Sequence, residues 1–126
     1  MRVWLGTPAL LQAAADGTET LTADGRARID SAMSAYLQYL PSHPLVVEGY
    51  ATDGNTADRY SRARARAAVV REYIVRRYQL PPQNIGFIPL DSAIDSPSGN
   101  RWDGVAITLF LDRKELQLVN RKDPAP

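Results

Sequence analysis

The sequence predicts an α/β domain, a two-layer sandwich in which a mixed four-stranded sheet carries its helices on one face. Three observations carry that prediction. Residues 45 to 50 are a β-branched apolar run, residues 57 to 77 repeat apolar side chains at helical spacing, and residues 85 to 90 are a second apolar run beyond Pro81-Pro82. Strand, helix and strand in that order make a βαβ unit, a right-handed crossover whose two strands lie parallel. The 126 residues, 44% of them hydrophobic and 23% charged, suit a single domain with one core. The expected order is β-α-β-α-β-β with an extra short N-terminal helix, over residues 1 to 119, and a polar tail over residues 120 to 126.

Residues 2 to 5, with Val3, Trp4 and Leu5, open the chain as a short strand. Residues 8 to 15 predict two turns of helix, with Pro8 tolerated in the first turn and Asp16-Gly17 ending it, and residues 18 to 20 follow as a loop. Ile29, Met33, Tyr36, Leu37 and Leu40 then form an apolar stripe that requires a helix over residues 23 to 40, with Thr22 as its N-cap and Pro41 as its stop. This helix is expected on the same sheet face as the crossover helix. A last strand is expected over residues 105 to 111, after a loop holding Pro97, Ser98, Gly99 and Asn100.

Composition narrows the function. The net charge of +1 excludes a bulk polycation and an acidic solvating chain. The absence of cysteine removes disulfide scaffolds, thiolate metal sites and cysteine nucleophiles. No run approaches the roughly 20 apolar residues of a membrane span, and Gly6, Thr7 and Pro8 interrupt the place where a signal peptide needs an apolar core. With a strand starting at residue 2, the chain reads as a domain of a longer protein, with any address label upstream of it.

The near-neutral total hides a basic helix. Between Asp58 and Tyr78, seven arginines against Asp58 and Glu72 give +5, which leaves −4 for the rest of the chain. The stripe of this helix is Tyr60, Ala63, Ala67, Val70, Ile74 and Tyr78. Most of its arginines read as solvated, but Arg66 sits about 70° from the middle of the stripe, at the edge of the core. A guanidinium does not lose its proton, so beside apolar neighbours it needs a carboxylate, from the protein or from a ligand. The candidate is Asp53, in the loop that leaves the carboxyl end of the strand over residues 45 to 50 and leads into this helix, where open α/β sheets bind ligands.

Those residues carry a resemblance. From Leu45 the line LVVEGYATDGNT, followed from Ala65 by ARAAVVREYI, resembles the OmpA-like peptidoglycan-binding domain. That family's signature is an apolar strand ending in Gly-aromatic-Thr-Asp, then a helix with Arg-Ala-x-x-Val-x-x-Tyr-Leu. Arg66-Ala67, Val70, Tyr73 and Ile74 fit the helix without a gap, and LTADGRARID from Leu21 is similar to the family's first long helix. The resemblance spans roughly residues 2 to 111 and implies the same strand and helix order.

It also implies a function: a non-catalytic anchor, without cofactor or metal, in the periplasm or cell envelope of a Gram-negative bacterium. In the family an Asp takes the ammonium and an Arg the carboxylate of diaminopimelate in the peptidoglycan stem peptide. Carried over by position, these are Asp53 and Arg66, with Thr52 orienting the loop or serving ordinary turn chemistry. The sequence departs from the pattern in places. Ala51 intervenes between the aromatic residue and Thr52, and Trp102-Asp103-Gly104-Val105 stands where the family has Asn-Arg-Arg-Val. A slipped alignment on Tyr60-Ser61 makes Arg64 the clamp instead.

Other readings stay open at this stage. The same fold serves as a protein-interaction domain that has lost peptidoglycan binding, and a +5 helix contacts phosphates in some nucleic-acid binders. Against nucleic acid, the arginines point round the helix, and no aromatic platform or recognition motif accompanies them. His43, between Pro41 and Pro44, has no nucleophile and orienting acid beside it and reads as a loop histidine. Asp91 and Asp95 are a weak metal pattern in a loop. Trp4 and Trp102 read as packing residues, with Trp102 a lesser candidate for ligand contact.

Overall fold

The computed structural model describes residues 1–40, 42–90 and 102–111. Its main sheet holds four strands in the order β1 (Arg2–Gly6), β6 (Gly104–Leu109), β4 (Leu45–Tyr50) and β5 (Ile85–Pro89). β4 and β5 are parallel neighbours, whereas β6 runs antiparallel to both β1 and β4. The sheet is mixed, as expected, and the βαβ unit stands. Strand positions 85 to 90 and 105 to 111 move by one or two residues, and the expected tail over residues 120 to 126, like Asp91, Asp95 and the Pro97 loop, lies outside the described residues.

The core lies between one face of this sheet and two helices, α2 (Ala23–Tyr36) and α3 (Thr56–Tyr78). Alternation does the sorting: Leu45 and Val47 of β4 meet Val105, Ile107 and Leu109 of β6 in the core, because a strand turns every second side chain to the same face. Ile29, Met33 and Tyr36 bury the stripe of α2, and each such side chain contributes about 1.5–3 kcal/mol by leaving water. Thr22 caps α2 as expected, its hydroxyl accepting from the Gly25 N–H at 2.8 Å. The α-helix ends at Tyr36 and tightens into a 3₁₀ turn over Leu37–Tyr39, so Leu37 rotates out of the stripe and is exposed. Near the start of α3, Tyr60 is exposed as well and does not join the buried stripe.

The N-terminal helix is the principal correction. Only Thr7–Leu10 is helical (α1), and the alanine-rich stretch that follows pairs as a hairpin, β2 (Leu11–Ala13) with β3 (Glu19–Leu21). The alanines favour a helix intrinsically, but Asp-Gly between two short runs is a hairpin signal, and Gly17 takes the turn at φ 87°. The Thr22 N–H donates to the Leu10 carbonyl at 3.0 Å and its hydroxyl to the Ala9 carbonyl at 2.8 Å, which draws the base of the hairpin against the start of α2. The excursion carries Glu19 across to α3.

Candidate functional site

The site gathers where the carboxyl end of β4, the first half of α3, the start of β6 and the hairpin meet. Gly49 makes the approach possible: a Cβ there would collide with the Ala63 carbonyl, so only glycine lets α3 lie this close to β4. Ala63 and Ala67 are fully buried against the strand, and Arg66, three residues after Ala63, shares their face and is only 7% exposed.

The Arg66 guanidinium is enclosed by partners from three elements. Its Nη1 donates to the Tyr50 carbonyl at 2.9 Å and to Asp103 Oδ1 at 2.8 Å. Its Nε and Nη2 donate to Glu19 Oε1 and Oε2 at 2.9 and 3.2 Å, the parallel two-point geometry by which an arginine fork holds a carboxylate. These bonds use four of its five N–H donors. Burial works against the cation, but its hydrogen bonds to Glu19 and Asp103 and their charges outweigh it, so Arg66 holds its proton even more firmly than usual.

Asp103 is the second carboxylate. Its Oδ1 accepts the Thr52 N–H at 3.0 Å and its Oδ2 accepts the Thr52 hydroxyl. Burial pushes its carboxyl upward, yet the Thr52 hydroxyl, Arg66, the Thr52 N–H and the guanidinium charge together hold it below the usual value of 3.8. One cation between two carboxylates leaves a net charge of −1 in the cluster.

Beside this cluster is an open cleft of about 470 Å³. One wall is the hairpin, with Gly17, Thr18 and Glu19, and the other is α3, with Asp58, Ser61, Arg62, Ala65 and Val69. Glu19 belongs both to the cleft and to the ion pair, so it joins the open space to the buried cation.

The four residues singled out in the sequence separate here. Arg66 lies at the carboxyl end of β4, as its place on the stripe's edge predicts. Its ion pairs, however, are with Glu19 and Asp103 and not with Asp53. Asp53 is exposed in the turn before α3, where its carbonyl accepts from Arg62 Nη1 at 3.0 Å. The expectation chose the carboxylate of the loop that joins β4 to α3, whereas sheet pairing and the hairpin bring two others, distant in sequence, onto the guanidinium. Thr52 is part of the cluster through Asp103. Arg64 is not: its guanidinium lies 4.9 Å from the centre of the Phe87 ring, which Arg71 also approaches at 5.4 Å.

Glu19 and Asp103 are the residues that sequence reasoning missed. Register places Asp103: β6 begins at Gly104 opposite Tyr50, which sets residue 103 beside residues 51 and 52. For Glu19 the Asp16-Gly17 turn was the only local pointer. Outside the cluster, Trp4, Tyr50 and Trp102 pack as mutually tilted rings with centroids 5.1 to 5.7 Å apart, and His43 Nδ1 lies 3.0 Å from the Tyr39 carbonyl. Among the described residues no helix is long and apolar enough to cross a membrane.

No family model matches the chain, and no curated protein is significantly similar to it. Solved structures do match. The periplasmic domain of Helicobacter pylori MotB superposes with a TM-score of 0.60 at 20% identity, over 99% of this chain and 93% of that one. The peptidoglycan-associated lipoprotein of Burkholderia pseudomallei gives 0.57 at 11% identity over 86% and 89%, and the OmpA-like domain of Francisella tularensis FopA1 gives 0.54 at 20% over 86% and 79%. At these identities the likeness is one of fold.

Proposed function

We propose that this chain, whose fold is OmpA-like, is a non-catalytic module that binds peptidoglycan in the periplasm and anchors a larger cell-envelope protein to the wall. The observation that carries the reading is Arg66: a buried guanidinium at the carboxyl end of the central strand β4, its fork already in two-point contact with a carboxylate at the margin of an open cleft. That is the chemistry needed to hold the carboxylate of a diaminopimelate side chain. Asp53, exposed on the adjoining turn, is the anion for the ligand's ammonium, and Thr52 holds Asp103 against Arg66 so that the fork keeps its direction. The site requires no cofactor.

Co-sedimentation with diaminopimelate-type sacculi tests the reading. Arg66→Lys keeps the charge but loses the fork and should weaken binding about 10-fold or more. Asp53→Ala should weaken it comparably, and Arg64→Ala, on the same helix but turned to Phe87, should bind like the parent. Equal losses for Arg66→Lys and Arg64→Ala would mean nonspecific attraction to an anionic polymer.

One observation favours a second reading, a protein-interaction domain of the same fold that has given up peptidoglycan. The seat on Arg66 is filled from within the chain, by Glu19. A parent domain that never sediments, while melting cooperatively, would support that reading.

A further inference from the structure

The Glu19 carboxylate meets Arg66 as a ligand carboxylate would, through two parallel N–H···O bonds at 2.9 and 3.2 Å. What carries Glu19 is a slight element. β2 and β3 are three residues each and pair only with one another, and an isolated two-stranded hairpin is marginally stable in water. The turn between them is exposed, closed by the Ala14 N–H to the Thr18 carbonyl and the Gly17 N–H to the Ala14 carbonyl. The base of the hairpin is fixed by contrast, through buried Leu11 and through Thr22. Between the free end and α3 the cleft of about 470 Å³ is already open.

We infer that the β2–β3 hairpin is a strap whose Glu19 is a resident carboxylate on Arg66, and that a ligand binds by exchanging its own carboxylate for that of Glu19 as the strap lifts. The inference rests on the reading of Arg66 as the ligand's carboxylate seat. Exchange suits the electrostatics: Arg66 stays between two carboxylates, Asp103 remains in place, and no buried cation is left unpaired. Lifting from the fixed base leaves α2 and the main sheet untouched, since Thr22 holds the base against α1 independently of Glu19. Glu19 is tethered to its site, so it competes at a high effective concentration. Ligand affinity is therefore reduced by the fraction of time the strap is open. With an open state populated at about 0.1–10%, removing Glu19 raises apparent affinity for a carboxylate about 10- to 1,000-fold.

The test compares the parent with Glu19→Ala and the near-isosteric Glu19→Gln, with cooperative melting as the check on folding. Two probes are used: sodium acetate, followed at the Arg66 Nε–H resonance of ¹⁵N-labelled protein, and diaminopimelate-type sacculi in co-sedimentation. Both variants should bind acetate at least about 10-fold more tightly than the parent, with the shift at Arg66, and should retain more sacculi. Adding Arg66→Lys to either variant should cancel the gain in sacculus retention. Tighter acetate binding without sacculus binding by any variant would keep the strap and reject the peptidoglycan reading. Equal retention of sacculi by parent and variants, with unchanged acetate affinity, would overturn the strap and leave that reading standing. Weaker binding of both probes in the Glu19 variants would also overturn it, by making Glu19 part of the ligand site.

Discussion

Glu19 and Asp103 hold Arg66 from two sides, one from the hairpin and one from the start of β6, and neither neighbours it in sequence. Asp103 is the more exposed of the two, at 35% of its side chain against 20% for Glu19. It also makes the larger number of contacts, since Thr52 contributes both its N–H and its hydroxyl.

That arrangement gives Asp103 a defined acid dependence. Its folded carboxyl is held below 3.8, so the folded state binds the proton less readily than the unfolded chain. Its stabilisation is present in full above the unfolded value and fades as pH falls through the folded one. Asp103→Asn should cost about 1–2 kcal/mol at neutral pH, discounted for exposure, and should make the acid limb of the unfolding curve shallower below pH about 4. Urea melts from pH 2 to 7 measure both.

Tyr36 sets an opposite dependence in alkali. Burial between α2 and the sheet pushes its phenol from 10.0 up to about 12, against a smaller opposing pull from Arg2, and its hydroxyl donates to the Ile107 carbonyl at 3.2 Å. A raised value means stability is complete below the unfolded pKa and is lost as pH rises from 10.0 towards 12. Tyr36→Phe should cost about 1 kcal/mol at pH 7 and lose less between pH 9 and 11 than the parent does. Some slope will remain, because Tyr73 and Tyr78, half-buried and bonded to Asp30, are raised too.

Gly49→Ala tests the close approach that seats Arg66. The new methyl meets the Ala63 backbone, which a rotamer change does not relieve. Stability should fall by at least about 1–3 kcal/mol, and the Arg66 Nε–H resonance should move as α3 is pushed from β4. An unchanged melting temperature would show that the helix slides freely on the strand.

Duplex and single-stranded DNA should not bind measurably at physiological salt. The α3 arginines are occupied within the molecule: Arg59 and Arg62 on the Gly54 and Asp53 carbonyls, Arg71 on the Ile85 and Pro82 carbonyls, Arg76 on Glu72. A micromolar complex that weakens steeply with added salt would refute this.

The sequence by itself determined the elements whose information is local and periodic. The run of residues 45 to 50, the stripes of α2 and α3, the Thr22 cap and the parallel β4–β5 pair follow from side-chain spacing, and Arg66's place at the core's edge follows from helical geometry. Tertiary structure alone decided Arg66's partners. The loop between β4 and α3 made Asp53 the candidate, but Asp103 arrives because β6 pairs antiparallel with β4, and Glu19 because residues 11 to 21 pair as a hairpin despite their helix-favouring alanines. Both are contacts between segments dozens of residues apart, fixed by strand register and by the turn at Gly17. A pattern read along the chain records which face a residue takes, whereas the charge that meets it there is set by how the faces are assembled.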